Sequence, residues 1–339
     1  MTTESPVTTV SPALADFPFP LSGDTYRYTA NLQPGGQRQP TEAGSWGEAV
    51  TRVGPGYRDL IAERARILHA DPGRLITDPS LLAAEWDTLR FLMRHLAAEY
   101  PGDFDYSQAG GRARWANRPL GITASFTPGD PDSLPCGPLE FIGRQVVEDL
   151  VLLDEREGHL YVDAGLVTFA SGWSFPFVAG SSFQEIHGPV PRASADGVFD
   201  RAEAFLLSLP PGAVYRRLNW GFHPLRVLDH SMDAAAAWLP AVSAFLATAT
   251  DQDIARDVHL RVELQHLIRL ETSGAVLFLI DTRFASLADL ATVPAWSAQF
   301  QAVLAGLPDD IADYKGLRDL RPLILACLRD LTPAQPAPS

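Results

Sequence analysis

The sequence predicts an α+β protein in which one antiparallel sheet lies between helical ends, and three observations carry that prediction. Apolar residues recur at helical spacing over residues 57–100, switch to alternation between about 160 and 282, and return to helical spacing from Trp296 to Leu331. The stretch His259-Leu-Arg-Val-Glu-Leu-Gln-His-Leu267 alternates strictly. It meets the apolar run Ala275-Val-Leu-Phe-Leu-Ile280 across the turn signal Thr272-Ser-Gly274. Helices, then strands, then helices also argue against a βαβ series and its parallel sheet.

Residues 1–16 are rich in Thr, Ser, Pro and Val without periodicity, and they are expected to be disordered, as is the Pro/Ala-rich tail 332–339. Residues 17–137 read as a helical N-terminal region. After a Gly/Pro/Gln-rich loop over Gln33–Ser45, Leu60, Ile61, Arg64 and Leu68 mark one face of a helix over Tyr57–Ala70. Leu82, Trp86, Leu89, Met93 and Leu96 mark a second, with Ser80 as N-cap and Tyr100-Pro101 as the stop. From Phe104 to Gly137 the Gly, Pro, Asp and Arg content predicts a long irregular connection. Residues 138–285 form the core. It opens with a helix over Pro138–Leu153, whose Glu148 and Asp149, with Asp154 and Glu155, read as a solvated acidic face. Leu160–Val162, Leu166–Phe169 and Ala213–Trp220 are strand candidates before the hairpin, and residues 286–331 supply C-terminal helices.

Charge and cysteine content narrow the function classes. With 27 Lys+Arg against 41 Asp+Glu the net charge is −14, which repels nucleic acid and anionic membrane. Cys136 and Cys327 are too few and too far apart for a disulfide scaffold, a CxxC zinc site or an iron–sulfur cluster. The first twenty residues carry no basic and apolar leader, and no apolar run reaches the roughly 18 residues of a spanning helix. A cytoplasmic location is expected. The sequence has no GxGxxG after a strand, no Walker loop and no GxSxG elbow.

Eight histidines occur. His69 and His95 sit in helical patterns beside arginines and read as surface or packing residues. His223/His230 and His259/His266 are each seven apart, a spacing that shares a helix face but opposes across a strand, so the second pair is not expected to bind one metal. His187 stands apart in Gly180-Ser-Ser-Phe-Gln-Glu-Ile-His-Gly-Pro-Val-Pro191. The Gly188-Pro189 step stiffens the chain directly after the imidazole, a setting that suits either an axial metal ligand or a turn histidine bonded to nearby backbone. Arg261, Glu263 and Gln265 share one face of the hairpin strand, which is compatible with a solvated face or with a cavity lining. In a cavity Arg would bind a carboxylate and Glu an amine. Arg217 and Asn219, just before Trp220, share a face of another strand.

Taken together these motifs resemble the successive signatures of the haem-dependent oxidative N-demethylase α-subunit family. They are Gly180…Ile186-His187-Gly-Pro189-Val-Pro191, then Arg217-x-Asn219-Trp220, then Arg261-Val-Glu263-x-Gln265-x-Leu-x-Arg269-Leu270 followed by Gly274-Ala-Val-x-Phe278-x-Ile280-x-Thr282. Phe17-Pro-Phe-Pro20 and Asp71-Pro match the family's opening, so the resemblance spans about residues 16–330. Two positions depart from it: Glu271 stands where a Pro is expected, and His266 where a small polar residue is expected, a change that would alter the pocket if its strand face lines it.

The resemblance implies a PAS-like core enclosing haem b, with His187 as the iron ligand and Arg217, Asn219 and Arg261 beside the cofactor. Glu263 and Gln265 would then orient an amine or relay a proton. The implied activity is oxidative N-demethylation of a secondary or methylated amine with O2, releasing formaldehyde. Its electrons would come from a separate flavin and iron–sulfur reductase using NAD(P)H, since this chain carries no nucleotide fingerprint. The rival expectations are a haem-PAS gas or redox sensor and a haem-free interaction scaffold.

Overall fold

The segment with the strictest alternation becomes the middle of the protein. In the computed structural model, which describes residues 9–27, 30–192 and 197–332, the strand Val258–Arg269 pairs along nearly its whole length with Val276–Ser286 on one side and Val214–Pro224 on the other. Asp149–Arg156 and His159–Leu166 extend the sheet past Val276–Ser286. The two-residue pieces Gln33–Pro34 and Leu75–Ile76 form its outer edges, and every pairing is antiparallel. Twelve α-helices occur among the described residues. The α+β expectation and the paired hairpin strands therefore hold.

Register decides what each face carries. Arg217 lies opposite Gln265, Asn219 opposite Glu263, Gly221 opposite Arg261, and Glu263 opposite Thr282 on the next strand. Direct cross-strand partners point to the same side of a sheet. All five polar residues singled out on these two strands therefore share one face. That face is covered by the short helices Phe175–Val178 and Phe183–His187 and by Val198–Leu207, which bury Phe175, Phe183, Phe199 and Leu206 against Val151, Leu153, Leu267 and Val276. The opposite face packs Leu150, Leu152, Ile268 and Leu277 against Leu89, Leu92 and Leu96 of the helix Leu82–Glu99. Further along that face, Leu218, Leu260 and Leu264 meet Trp296, Phe300 and Leu328 of the C-terminal helices.

Several expectations are corrected. Residues 104–126 are not irregular: Phe104–Ala109, Arg112–Asn117 and Ile122–Phe126 make a separate three-stranded sheet, so residues 17–137 are not purely helical. The helix expected over 138–153 ends at Gly143, and Asp149–Arg156 is a sheet strand. Its "acidic face" is not solvated at Glu148 and Asp149, which are 1% and 0% exposed. Asp149 is answered by Arg64, whose guanidinium donates to Asp149 Oδ1 at 2.8 Å, to Thr168 Oγ1, and to the carbonyls of Gly143, Val146, Val147 and Glu148. Of the strand candidates, 160–162 lies inside the strand His159–Leu166, whereas residues 167–169 fall beyond its end and are not in a strand. Asp78, not Ser80, caps the start of the second helix, through a 3-10 turn over Pro79–Leu81. Of residues 1–16, those before position 9 lie outside the described residues, but Ser11 bonds Asp289 and Thr292, and Leu14 is fully buried. The tail from residue 333 lies outside the described residues.

Candidate functional site

Glu263 is the hub of the polar face. Its Oε2 accepts from Gln265 Nε2 at 2.9 Å and from Asn219 Nδ2 at 3.3 Å, and its Oε1 lies 3.8 Å from Arg261 Nε. Glu263 and Gln265 are buried, while Asn219 is exposed. Gln265 Oε1 finds no partner in the protein. Gly221, beside Asn219, offers no side chain above the sheet, and a Cβ added there would meet only His223 Nε2, at 3.5 Å. Backbone left bare in this way permits close approach of a ligand.

The two arginines are not equivalent. Arg261 is 2% exposed, and its fork donates to the carbonyls of Val227, Leu228 and Phe169 and to Thr282 Oγ1. It thereby ties the 227–228 loop and the 169 segment to the sheet, with its Nε turned toward Glu263. Arg217 is half-buried, and its Nε donates to Ala30 O at 3.1 Å.

His187 is reached from the helices covering this face. It is not in a turn but is the last residue of the helix Phe183–His187, whose start is fixed by a capping box of Ser182 and Glu185. The ring is clasped between Phe183 and Phe199, each with its centroid 4.3 Å away. Nδ1 lies 2.7 Å from Phe183 O, so Nδ1 carries the proton and Nε2 keeps its lone pair. Burial, reinforced by the positive charge of Arg217, pushes the imidazole pKa down to about 4. His187 is thus tethered to its own helix backbone and carries an uncharged ring.

A second imidazole cluster stands toward the other end of the same strand. His223 is six residues beyond Arg217, about 20 Å at the usual rise of ~3.3 Å per residue. Its Nε2 lies 3.2 Å from Ser171 Oγ, and its ring is 4.3 Å from that of His230, which stacks on Trp238 at 3.8 Å. His230 Nδ1 is buried without a partner. Burial lowers both pKa values, with the charge of Arg261 adding to it. His266, by contrast, points to the opposite face and cannot alter this site directly, since it pairs with Arg216 and not with Arg217. His69 is exposed, and His95 is a half-buried packing residue bonded to Phe91 O.

Sequence reasoning missed Lys315, which comes from the C-terminal helices. Its Nζ donates to Trp220 O at 2.7 Å and lies 4.7 Å from the centre of that ring. Burial pushes its pKa down to about 8, with Glu263 and Arg217 both close enough to act on it. No pattern around Asp313-Tyr-Lys-Gly316 signals this contact. Phe183 and Phe199, the clasp of His187, were legible only as apolar residues.

What the fold and the site define is an antiparallel-sheet α+β protein with a polar, carboxylate-centred face under a helical cover, flanked by uncharged histidines. The family model for the haem-dependent oxidative N-demethylase, alpha subunit-like proteins matches residues 44–325. The chain belongs to that family.

Proposed function

We propose that this chain is the haem-binding subunit of an oxidative N-demethylase. In this reading a PAS-like sheet holds haem b, and a secondary or methylated amine is demethylated with O2 and electrons from a flavin and iron–sulfur partner that uses NAD(P)H. Bound haem would supply the iron chemistry that oxidises an N-methyl carbon, with formaldehyde as the one-carbon product; the protein supplies the pocket.

The observation that carries the reading is His187. A histidine that would hold a haem iron needs a neutral ring, a fixed orientation and a second nitrogen bonded to an acceptor. His187 has its ring clasped by two phenylalanines, Nδ1 tied to Phe183 O and Nε2 available. The remaining donor set also fits. Arg217, half-buried and near enough to His187 for its charge to lower that imidazole's pKa, is the cation suited to a propionate. Arg261 then acts by holding Glu263 and the surrounding loops. Glu263 presents carboxylate oxygens to an amine, and Asn219 and Gln265 fix their direction while Gln265 Oε1 offers a further acceptor.

The test is a visible spectrum of the purified chain followed by turnover. A Soret band, lost or shifted in His187→Ala and partly restored by added imidazole, supports the ligand assignment. NAD(P)H consumption and formaldehyde release with a reductase and an amine support the activity. A wild-type protein without a Soret band after haem addition would overturn the reading; loss of the band in His223→Ala or His230→Ala instead would move the ligand to the other end of the strand.

A further inference from the structure

A surface helix normally turns an apolar stripe to the core and charged residues to water. The helix Ala235–Thr248 has no charged side. No Asp, Glu, Lys or Arg occurs between Asp233 and Asp251, and nine of the fourteen helical residues are exposed while only Val242 is buried. One narrow stripe holds the helix down: Trp238 stacks on His230, and Val242 and Phe245 follow at helical spacing. Phe177, which is 85% exposed, Met232, Leu239 and Leu246 are four of the eight large apolar side chains left exposed among the described residues. Leu239 and Leu246 lie on this helix. Met232 and Phe177 flank its start, where Met232 N–H donates to Trp173 O at 3.2 Å and Ser174 Oγ donates to Asp233 Oδ1 at 2.7 Å. Apolar residues gathered on the surface in this way mark an interaction site.

The exposed side carries a pattern that selects the occupant. Ala236, Leu239, Ser243 and Leu246 follow one another at steps of three, four and three, the spacing of a seam between two packed helices, and small and large side chains alternate along it. When a second copy of the helix is laid antiparallel with a two-fold axis at the level of Ala241, Leu239 falls on Ser243 of the other copy and Leu246 on Ala236 of the other copy. Each large side chain meets a small one, which is the self-complementarity a two-fold interface requires. The antiparallel arrangement also sets the two helix dipoles in opposition. Charge points the same way: on a chain of net charge −14, a surface without carboxylates is where two copies touch at least electrostatic cost. A helix lying on an anionic membrane would carry Lys or Arg on its polar side, and this one carries none.

We propose that the helix Ala235–Thr248 is a homodimer interface, its exposed side covered by the same helix of a second copy of this chain. Leu239 and Leu246 fill the gaps over Ser243 and Ala236, and Phe177 and Met232 at the start of one helix lie beside the last turn of the other.

Sedimentation equilibrium of the full chain as purified, from sub-micromolar to high micromolar concentration, should show monomer and dimer in exchange. Leu239→Glu places one like charge from each copy in the seam and should weaken the dimer about tenfold or more, with an unchanged circular-dichroism melting curve because the position is exposed. Ser243→Leu separates specific packing from general stickiness. It makes the surface more apolar, yet it sets Leu against Leu and should also weaken the dimer about tenfold or more. Exchanging the partners, Ala236→Leu together with Leu246→Ala, keeps large on small and should dimerise like the wild type. A wild type that stays monomeric throughout, a Ser243→Leu variant that associates more strongly, or an exchanged variant that stays monomeric would overturn the proposal. None of these readouts depends on haem or on turnover.

Discussion

Replacing Arg64 by Leu tests how the N-terminal helix is joined to the sheet. Arg64 is 0% exposed and supplies every guanidinium nitrogen to a partner: Asp149 Oδ1, Thr168 Oγ1 and the carbonyls of Gly143, Val146, Val147 and Glu148. Leucine fills part of the volume and satisfies none of them. Asp149, equally buried, would keep only its bonds from Thr168 N, Thr168 Oγ1 and Phe169 N. Removing one partner of a buried ion pair costs about 3–5 kcal/mol. At about 2 °C per kcal/mol for a chain of this size, the melting temperature should fall by roughly 6–10 °C. Urea unfolding followed by circular dichroism gives the free energy, and an unchanged slope shows that the loss belongs to the folded state. Arg64→Lys should recover only part, since an ammonium cannot reach six acceptors at once. The same residue, Phe169, donates its N–H to Asp149 and accepts from Arg261 on its carbonyl, so the variant should also loosen the Glu263 face. A loss below about 1 kcal/mol would refute the reasoning, because it would mean that the buried acceptors found other donors.

Arg261→Ala should destabilise the 227–228 loop and weaken cofactor retention indirectly, with charge-assisted bonds of roughly 1.5–3 kcal/mol each at stake; retained Soret absorbance after gel filtration measures it. Glu263→Gln should lower turnover with little change in the spectrum, because the hub touches His187 nowhere in the hydrogen-bond network; an equal loss of haem would assign Glu263 to cofactor binding. Acid should unfold the protein between pH 6.5 and 4. His187, His230 and His266 have folded pKa values near 4, below the unfolded value of ~6.5, so their contribution is complete above 6.5 and lost as pH falls toward 4. Glu85 and Glu148, both raised to about 7, act in the opposite sense, contributing fully at low pH and losing that contribution as pH rises through 7. Urea midpoints from pH 8 to 4 should therefore pass through a maximum, and a monotonic rise toward acid would contradict the buried histidines.

The central hairpin was legible because alternation is a direct image of a sheet with two different faces, and His259–Leu267 shows it without interruption. The failures share a cause. Between Pro138 and Leu153 the residues Ile142, Val146, Leu150 and Leu153 fit a helical stripe, yet Asp149–Arg156 is a strand buried on both sides, where apolar residues run together and periodicity carries no information. Glu148 and Asp149 looked like a solvated face because their partners, Arg52 and Arg64, are more than eighty residues away. Residues 104–126 lost their strand signal to Gly and Pro in the turns of a small sheet whose outer residues are polar.

The candidate site shows the same division. That Arg261, Glu263 and Gln265 share a face follows from a period of two, and the register then adds Arg217 and Asn219 from a strand more than forty residues earlier. Which members of that set are open to a ligand does not follow from period or register. Arg261 and Arg217 look alike in sequence, but one is locked by three backbone carbonyls of segments far from it in the chain. A similar distinction separates His187 from His223. Both rings are uncharged and half-buried, and what sets His187 apart is the pair of phenylalanines at positions 183 and 199 that fix its plane, one from its own helix turn and one from the next helix. Replacing Phe199 by Ala removes one wall without touching Nδ1 or Phe183 O. The ring should then tilt, and any spectrum due to His187 ligation should broaden or shift while the fold survives. If His223 or His230 were the ligand, the Phe199→Ala spectrum would stay that of the wild type.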